Sequence, residues 1–211
     1  MTARIPDPAP LLGRFLRLDP MTQVDYPGLF DAIAVPEVFA GGYGGGPAGL
    51  PRDLDEFADF AAGTFNRGTN RSFTIRLVGG DADGLIVGTS TLGDFDPVNE
   101  QAHLGWTAYS PGVWGSAVNA EAKLLLLGLA FDSGFGRVKI QADERNERSR
   151  AAIAGIGATF EGLIRRDKRR ADGSWRTTAQ FSVIVDDWLD VRAGLEMRLS
   201  RQNGPVVPRR S

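Results

Sequence analysis

The stretch from Ser110 to Gly162 constrains the fold of this chain more than any other. It begins Ser110-Pro-Gly-Val-Trp-Gly-Ser-Ala-Val-Asn119, a turn of small residues that opens directly onto an amphipathic helix expected over 117–133. A short strand (137–142) follows, and then Asn146-Glu-Arg-Ser149-Arg150 opens a second helix. A helix start leaves about four backbone N–H groups without intrahelical partners and carries about half a positive charge, so it attracts phosphate. Gly112, Gly115, Ser116 and Ala117 keep bulky side chains away from those amides. The strand over 137–142 is separated from an earlier one, Gln101 to Tyr109, by a whole helix, so the two are expected to be parallel neighbours.

The remaining segments complete a mixed sheet with helices on its faces. Residues 1–11 are proline-rich and read as a flexible lead-in, and residues 200–211 as a basic tail that frays. Leu12 to Leu18 alternates as a first strand, and a helix is expected between Thr22 and Ala34. Val35 to Pro51 contains Gly41-Gly-Tyr43-Gly-Gly-Gly46-Pro47, a loop whose backbone is poorly fixed; no Lys-Ser/Thr pair follows, so it fails as a nucleotide loop. Asp53 suits the cap of a helix reaching about Asn66. Strands over 72–78 and 85–92 flank the turn Gly79 to Gly84, and a second turn falls at Asp94 to Pro97. Strands over 158–170 and 175–185 flank Ala171-Asp-Gly173-Ser, and Asp186 and Asp187 open a last helix to about Leu199. The order β-α-α-β-β-β-α-β-α-β-β describes a single α/β domain over 12–199.

Several chemistries are excluded at this point. Without cysteine there is no disulfide, thiolate metal site or cysteine acyl-enzyme, and with His103 alone there is no multi-histidine zinc site; no metal is expected. No Gly-x-Ser-x-Gly elbow marks a serine hydrolase. A net charge of −2 offers no basic field for nucleic acid. The longest apolar run, Leu124 to Phe131, is too short for a span of about 20 residues, and no apolar leader is visible, so neither a membrane nor export is expected and the cytoplasm is the default.

With these residues in hand, the chain resembles the GCN5-related N-acetyltransferases (GNAT), in the branch that includes the RimJ/RimL-like ribosomal-protein acetyltransferases. That family carries a Gln/Arg-x-x-Gly-x-Gly/Ala loop; Gly112-Val-Trp-Gly115-Ser-Ala117 stands in its place, without the leading Gln/Arg. Ala120-Glu-Ala-Lys123, Asp143-Glu-Arg-Asn146-Glu-Arg-Ser149 and Gly157-Ala158 follow in the family's order. The likeness runs from about Leu12 to Leu199. It implies a mostly antiparallel sheet with one splayed parallel strand pair holding acetyl-CoA, and transfer of its acetyl group to an amine.

The resemblance also assigns residues. The backbone of Trp106, Thr107, Ala108 and Tyr109 would meet the pantetheine arm; the alternative is ordinary sheet pairing, with the Trp106 ring in the core. Gly112, Val113, Trp114, Gly115, Ser116 and Ala117 would cradle the diphosphate, the Trp114 indole packing on the cofactor or on a neighbouring loop. Asn146 would contact pantetheine and Ser149 would donate to the departing sulfur; otherwise Asn146 caps the helix and Ser149 fills its first turn. Arg150 meets a CoA phosphate or is solvated charge. Tyr43 is a candidate substrate contact.

A neutral amine is needed for attack, and an α-amine of pKa 7.7–8.0 is neutral to roughly 10–20% at pH 7. His103 stands where the branch shows Glu, so it is either the base or a structural residue, with Asp94, Asp96 and Glu100 as fallback bases. The basic run at Arg165, Arg166, Lys168, Arg169 and Arg170 draws an acidic acceptor or rRNA, or is a solvated hairpin tip. Two other functions stay open: a non-catalytic acyl-CoA-binding module, and an acyltransferase using succinyl-CoA. A homodimer is compatible with either.

Overall fold

Leu16 and Leu18 point inward from a short hairpin and start the sheet that carries the whole molecule. A computed structural model describes residues 2–65 and 68–209. The expected helix end at Asn66, the first residue of the lead-in and the last two of the tail lie outside the described residues. The strands are β1 (Leu11–Leu12), β2 (Leu16–Pro20), β3 (Arg71–Leu77), β4 (Ile86–Asp96), β5 (Gln101–Tyr109), β6 (Arg137–Asp143), β7 (Thr159–Arg169) and β8 (Trp175–Ile184). The helices are α1 (Tyr26–Ile33), α2 (Pro36–Ala40), α3 (Leu54–Thr64), α4 (Val118–Asp132), α5 (Glu147–Ala154) and α6 (Trp188–Ser200).

They form one eight-stranded sheet in the order β1-β2-β3-β4-β5-β6-β8-β7. Among the described residues only β5 and β6 run parallel; every other neighbouring pair is antiparallel. This is the mixed, mostly antiparallel α/β sheet expected from the sequence. The expected first strand is a hairpin, because the Gly13 amide turns back to the Leu16 carbonyl at 2.8 Å. The turn expected at Asp94 is absorbed into β4, which continues through an irregular register to Asp96. The glycine-bearing loop holds a short helix, α2, since Pro36 at its first position has no N–H to lose. Asp53 caps α3 as expected, its carboxylate accepting the Glu56 amide at 2.9 Å.

Each face of the sheet has its own core. One is built by α4, α5 and α6 with Leu126, Ala130, Ile153, Trp188 and Leu195 against Val138, Ile140, Phe181 and Val183. The other is built by α1, α2 and α3 around Leu29, Ile33, Phe39, Phe57 and Phe65. Each such fully buried side chain contributes about 1.5–3 kcal/mol of transfer free energy.

Helix α4 carries two buried charges that point to different partners. Glu121 accepts the amides of Arg14 (2.7 Å) and Phe15 (2.8 Å) and so ties the β1–β2 turn to the helix. Burial raises its pKa, and those amide bonds oppose the rise. Lys123 donates to Thr107 Oγ1 at 3.0 Å, and burial pushes its ammonium down to about 7.

Both ends of the described chain make contacts where loose segments were expected. The Arg4 amide donates to the Ser133 carbonyl at 3.0 Å, and Ala3 is buried. After α6, Val206 is buried in the first core, and the Arg209 amide donates to the Gly112 carbonyl at 2.9 Å. Among the described residues no helix is long and apolar enough to cross a membrane.

Candidate active site

Strands β5 and β6 pair for only three residues, Gln101 with Arg137, Ala102 with Val138 and His103 with Lys139. Beyond that point β5 stays on β4 as far as Tyr109, and β6 stays on β8 as far as Asp143. The strands therefore part, leaving a wedge whose edges present backbone N–H and C=O groups not paired across it. A bulge on β5 accompanies the parting. Gly105 faces Thr91 and Ala108 faces Thr89, so β5 carries an extra residue there, and Trp106 sits at φ 49°. A bulky residue in that region is uncommon, and a bulge of this kind bends its strand.

The turn after β5 is partly spoken for. Val113 donates to Ser110 and Trp114 to Pro111, while Ser116 returns both its amide and its hydroxyl to the Val113 carbonyl. Val113 itself is buried in the first core, so neither it nor Ser116 offers a donor. The Gly112 position is closed by the tail, since a Cβ there would lie 2.8 Å from the Arg209 carbonyl oxygen. Expected to leave room for phosphate, this glycine leaves room for the chain itself. Gly115 differs: its φ is +77° and its open side meets nothing within 4 Å. Among the described residues the amides of Gly115, Ala117, Asn119 and Ala120 have no acceptor. These line the start of α4, and Asn119 and Ala120 extend the expected set.

At the point of the wedge, His103 is 4% exposed and packs against Trp106, the ring centroids 4.7 Å apart and the planes inclined at 50°. Its Nδ1 lies 3.0 Å from Asp94 Oδ2, and Lys139 Nζ is 3.4 Å from the same oxygen. The hydrogen bond from His103, with help from Lys139, holds the Asp94 carboxyl down at about 2. The ionised carboxylate makes Nδ1 the donor and leaves Nε2 as an acceptor. That Nε2 is buried and has no hydrogen-bond partner among the described residues. Burial holds His103 below its ordinary pKa, against the pull of Asp94. Across from it, Tyr43 reaches from the glycine loop to donate to the Trp106 carbonyl at 3.4 Å, and burial raises its phenol.

The start of α5 closes the other side. Asn146 accepts the Ser149 amide at 2.9 Å and donates to the Gly41 carbonyl at 2.5 Å, so it caps the helix and holds the glycine loop. The Ser149 side chain is half-buried, and its hydroxyl has no partner among the described residues. Arg150 turns away, donating to the Glu144 carbonyl and lying over Phe160. The arginine that meets the turn is Arg148, stacked 3.4 Å over the Trp114 indole, whose N–H donates to the Tyr109 carbonyl.

Beneath this corner, Arg170 holds Asp143 through contacts of 2.8 and 3.0 Å, the two side chains being 8% and 4% exposed. Gly42 packs on that carboxylate, where a Cβ would lie 3.1 Å from Oδ2. Removing one partner of a buried pair strands the other charge. Arg170→Met is therefore expected to lower the unfolding free energy by about 3–5 kcal/mol, read as a reduced urea midpoint at unchanged slope.

The family model for the acetyltransferase (GNAT) domain matches residues 16–159. The chain belongs to the GNAT family. Its fold is shared with solved structures. One is a protein from T. thermophilus, provisionally described as an acetyltransferase, with 30% identity over 92% of this chain and 98% of that one and a TM-score of 0.81. A GCN5-related N-acetyltransferase from Brucella melitensis is 24% identical over 93% and 87%, with a TM-score of 0.82. Mycobacterium smegmatis RimJ, solved with CoA-disulfide, is 19% identical over 91% and 93%, with a TM-score of 0.71. No curated protein matches the chain.

As a GNAT acetyltransferase the protein uses acetyl-CoA. The residues present fit that molecule: a diphosphate would find bare amides at the start of α4, and an amide-bearing arm would find two strand edges not paired with each other. Asn119 and Ala120 were legible in principle, because the first turn of any helix leaves its amides free. Arg148 carries no such signal in the sequence.

Proposed function

We propose that the protein acetylates a primary amine, a protein N-terminal α-amine or a small-molecule amine, by direct transfer within one ternary complex, as in the RimJ/RimL-like branch. The observation that carries this reading is the abrupt end of β5–β6 pairing at His103 and Lys139, beside a helix start with free amides. Acetyl-CoA, when bound, supplies the acetyl group as a thioester whose sulfur leaves.

The chain's own residues divide the remaining work. Gly115, Ala117, Asn119 and Ala120 hold the diphosphate by their amides, and the edges of β5 (Trp106 to Tyr109) and β6 hold the arm. His103 Nε2 takes the proton released by the amine as the N–C bond forms, and Asp94 fixes the tautomer and steadies the imidazolium. Ser149 Oγ hydrogen-bonds the sulfur as the C–S bond breaks. Asn146 fixes the entrance by holding Gly41, and Tyr43 borders the acceptor.

Calorimetry with CoA, followed by thiol release across an amine panel, tests the reading. CoA binding with turnover of at least one amine is expected, and absence of CoA binding overturns it. Ser149→Ala is expected to lower kcat about tenfold or more while leaving CoA affinity within about twofold, since one hydrogen bond to a developing charge is worth about 1.5–3 kcal/mol. An unchanged kcat would remove Ser149 from the transfer.

A further inference from the structure

On the sheet face covered by α1, α2 and α3 up to β5, the strands beyond carry polar side chains. In parallel register His103 shares its face with Lys139, and β8 continues that face through Ser182, Gln180, Thr178 and Arg176. Most charges here are matched. Arg137 pairs with Glu161, Arg170 with Asp143, and Lys139 with Asp94, while Asp167 accepts from Thr178 at 2.6 Å.

Two cations lie near carboxylates but touch none of them. Lys168 of β7 stands directly across from Arg176 of β8. Like charges facing each other across a strand pair destabilise a sheet. Neither has an ion pair or a hydrogen bond among the described residues, and the Arg176 Nε is buried without a partner. Burial lowers the pKa of both; Lys168 also feels the Arg176 cation, against the pull of Asp167 and Asp94, and Arg176 feels the pull of Asp143 and Asp167, against the Arg170 cation. The cluster reaches the reacting centre: after burial itself, the charges of Lys139 and Lys168 oppose protonation of His103.

We propose that Arg176, with Lys168 directly across from it, receives a carboxylate of the acceptor, so that the amine offered to His103 belongs to an acidic molecule or an acidic N-terminus. This rests on the acetyl-transfer reading above and deepens it. A guanidinium presents a planar fork that matches a carboxylate, and a buried N–H with no acceptor gains most from one that arrives with its substrate. The same carboxylate would relieve the repulsion between Lys168 and Arg176.

The test compares two dipeptide amides, aspartyl-alanine amide and asparaginyl-alanine amide, which share a free α-amine and differ in one carboxylate. The wild-type protein is expected to favour the aspartyl amide at least tenfold in kcat/KM. Arg176→Met is expected to remove most of that ratio and Arg176→Lys to restore part of it, with CoA calorimetry on each variant reporting that the site is intact. Equal kcat/KM for the two amides, or a ratio that survives in Arg176→Met, overturns the proposal while the acetyl-transfer reading stands. Failure of the wild-type protein to bind CoA sinks that reading instead. Should neither amide turn over, the CoA-saturated protein must still gain a higher Tm from the aspartyl than from the asparaginyl amide, a difference lost in Arg176→Met; equal shifts overturn the proposal.

Discussion

Gly115→Glu is expected to weaken CoA binding at least a hundredfold, about 2.7 kcal/mol, while the protein stays folded. Gly115 has φ +77° and open space on its Cβ side, so a side chain there is strained but not blocked. The strain of a left-handed L-residue costs about 1–2 kcal/mol. A carboxylate at a helix start recovers about 0.3–1 kcal/mol from the helix dipole. The net change in stability is small, and Tm should fall by only a few degrees. Binding behaves otherwise, because the new carboxylate occupies the amides of Ala117, Asn119 and Ala120 and repels a diphosphate. Gly115→Ala separates the two effects, adding the strain without the charge, and should cost CoA no more than a few-fold. Calorimetry checks both. Normal CoA affinity in Gly115→Glu would mean that the diphosphate does not lie on this turn.

The sequence made the helix start legible but not which of its groups remain free. Glycine at 112 and at 115 looks alike in the chain, yet one is closed by the Arg209 carbonyl and the other is open. That distinction depends on where residues after α6 dock, a contact between positions nearly a hundred residues apart. Arg148 and Arg150 show the same limit on a smaller scale. Two residues on a helix differ by about 200° around its axis, so only one can face the turn, and the rotation of α5 is set by Ile153 and Asn146 packing rather than by any local signal.

The parallel pair β5 and β6 followed from a strand-helix-strand order and right-handed connection, and the structure has it. What sequence does not carry is where that pairing stops. The bulge puts its positive φ on Trp106 and not on the adjacent Gly105, where a sequence reading would look for it. Asp94 is likewise one acid among several near a turn. It meets His103 only because the β4–β5 register shifts between Gly93 and Asp96.

His103→Ala is expected to lower kcat by about 10²–10⁴-fold and to leave CoA affinity within about twofold, since the proposed mechanism has the imidazole serve the acceptor and not the diphosphate. The pH dependence is the sharper readout. Burial depresses His103 below its ordinary value of 6.5, so the neutral base persists to lower pH and the acid limb of kcat should fall below 6.5. The hydrogen bond to Asp94 pulls the other way, so Asp94→Asn should shift that limb further down while also reducing kcat. Stability follows the same sign: a depressed folded pKa means that the unfolded chain binds the extra proton first. The contribution is present above 6.5 and is lost as pH falls through the folded value. His103→Ala should therefore lose less stability on acidification than the wild type, and rates must be compared where both are folded. An acid limb that survives in His103→Ala would place the base on another residue, and Asp94 would then be the first to test.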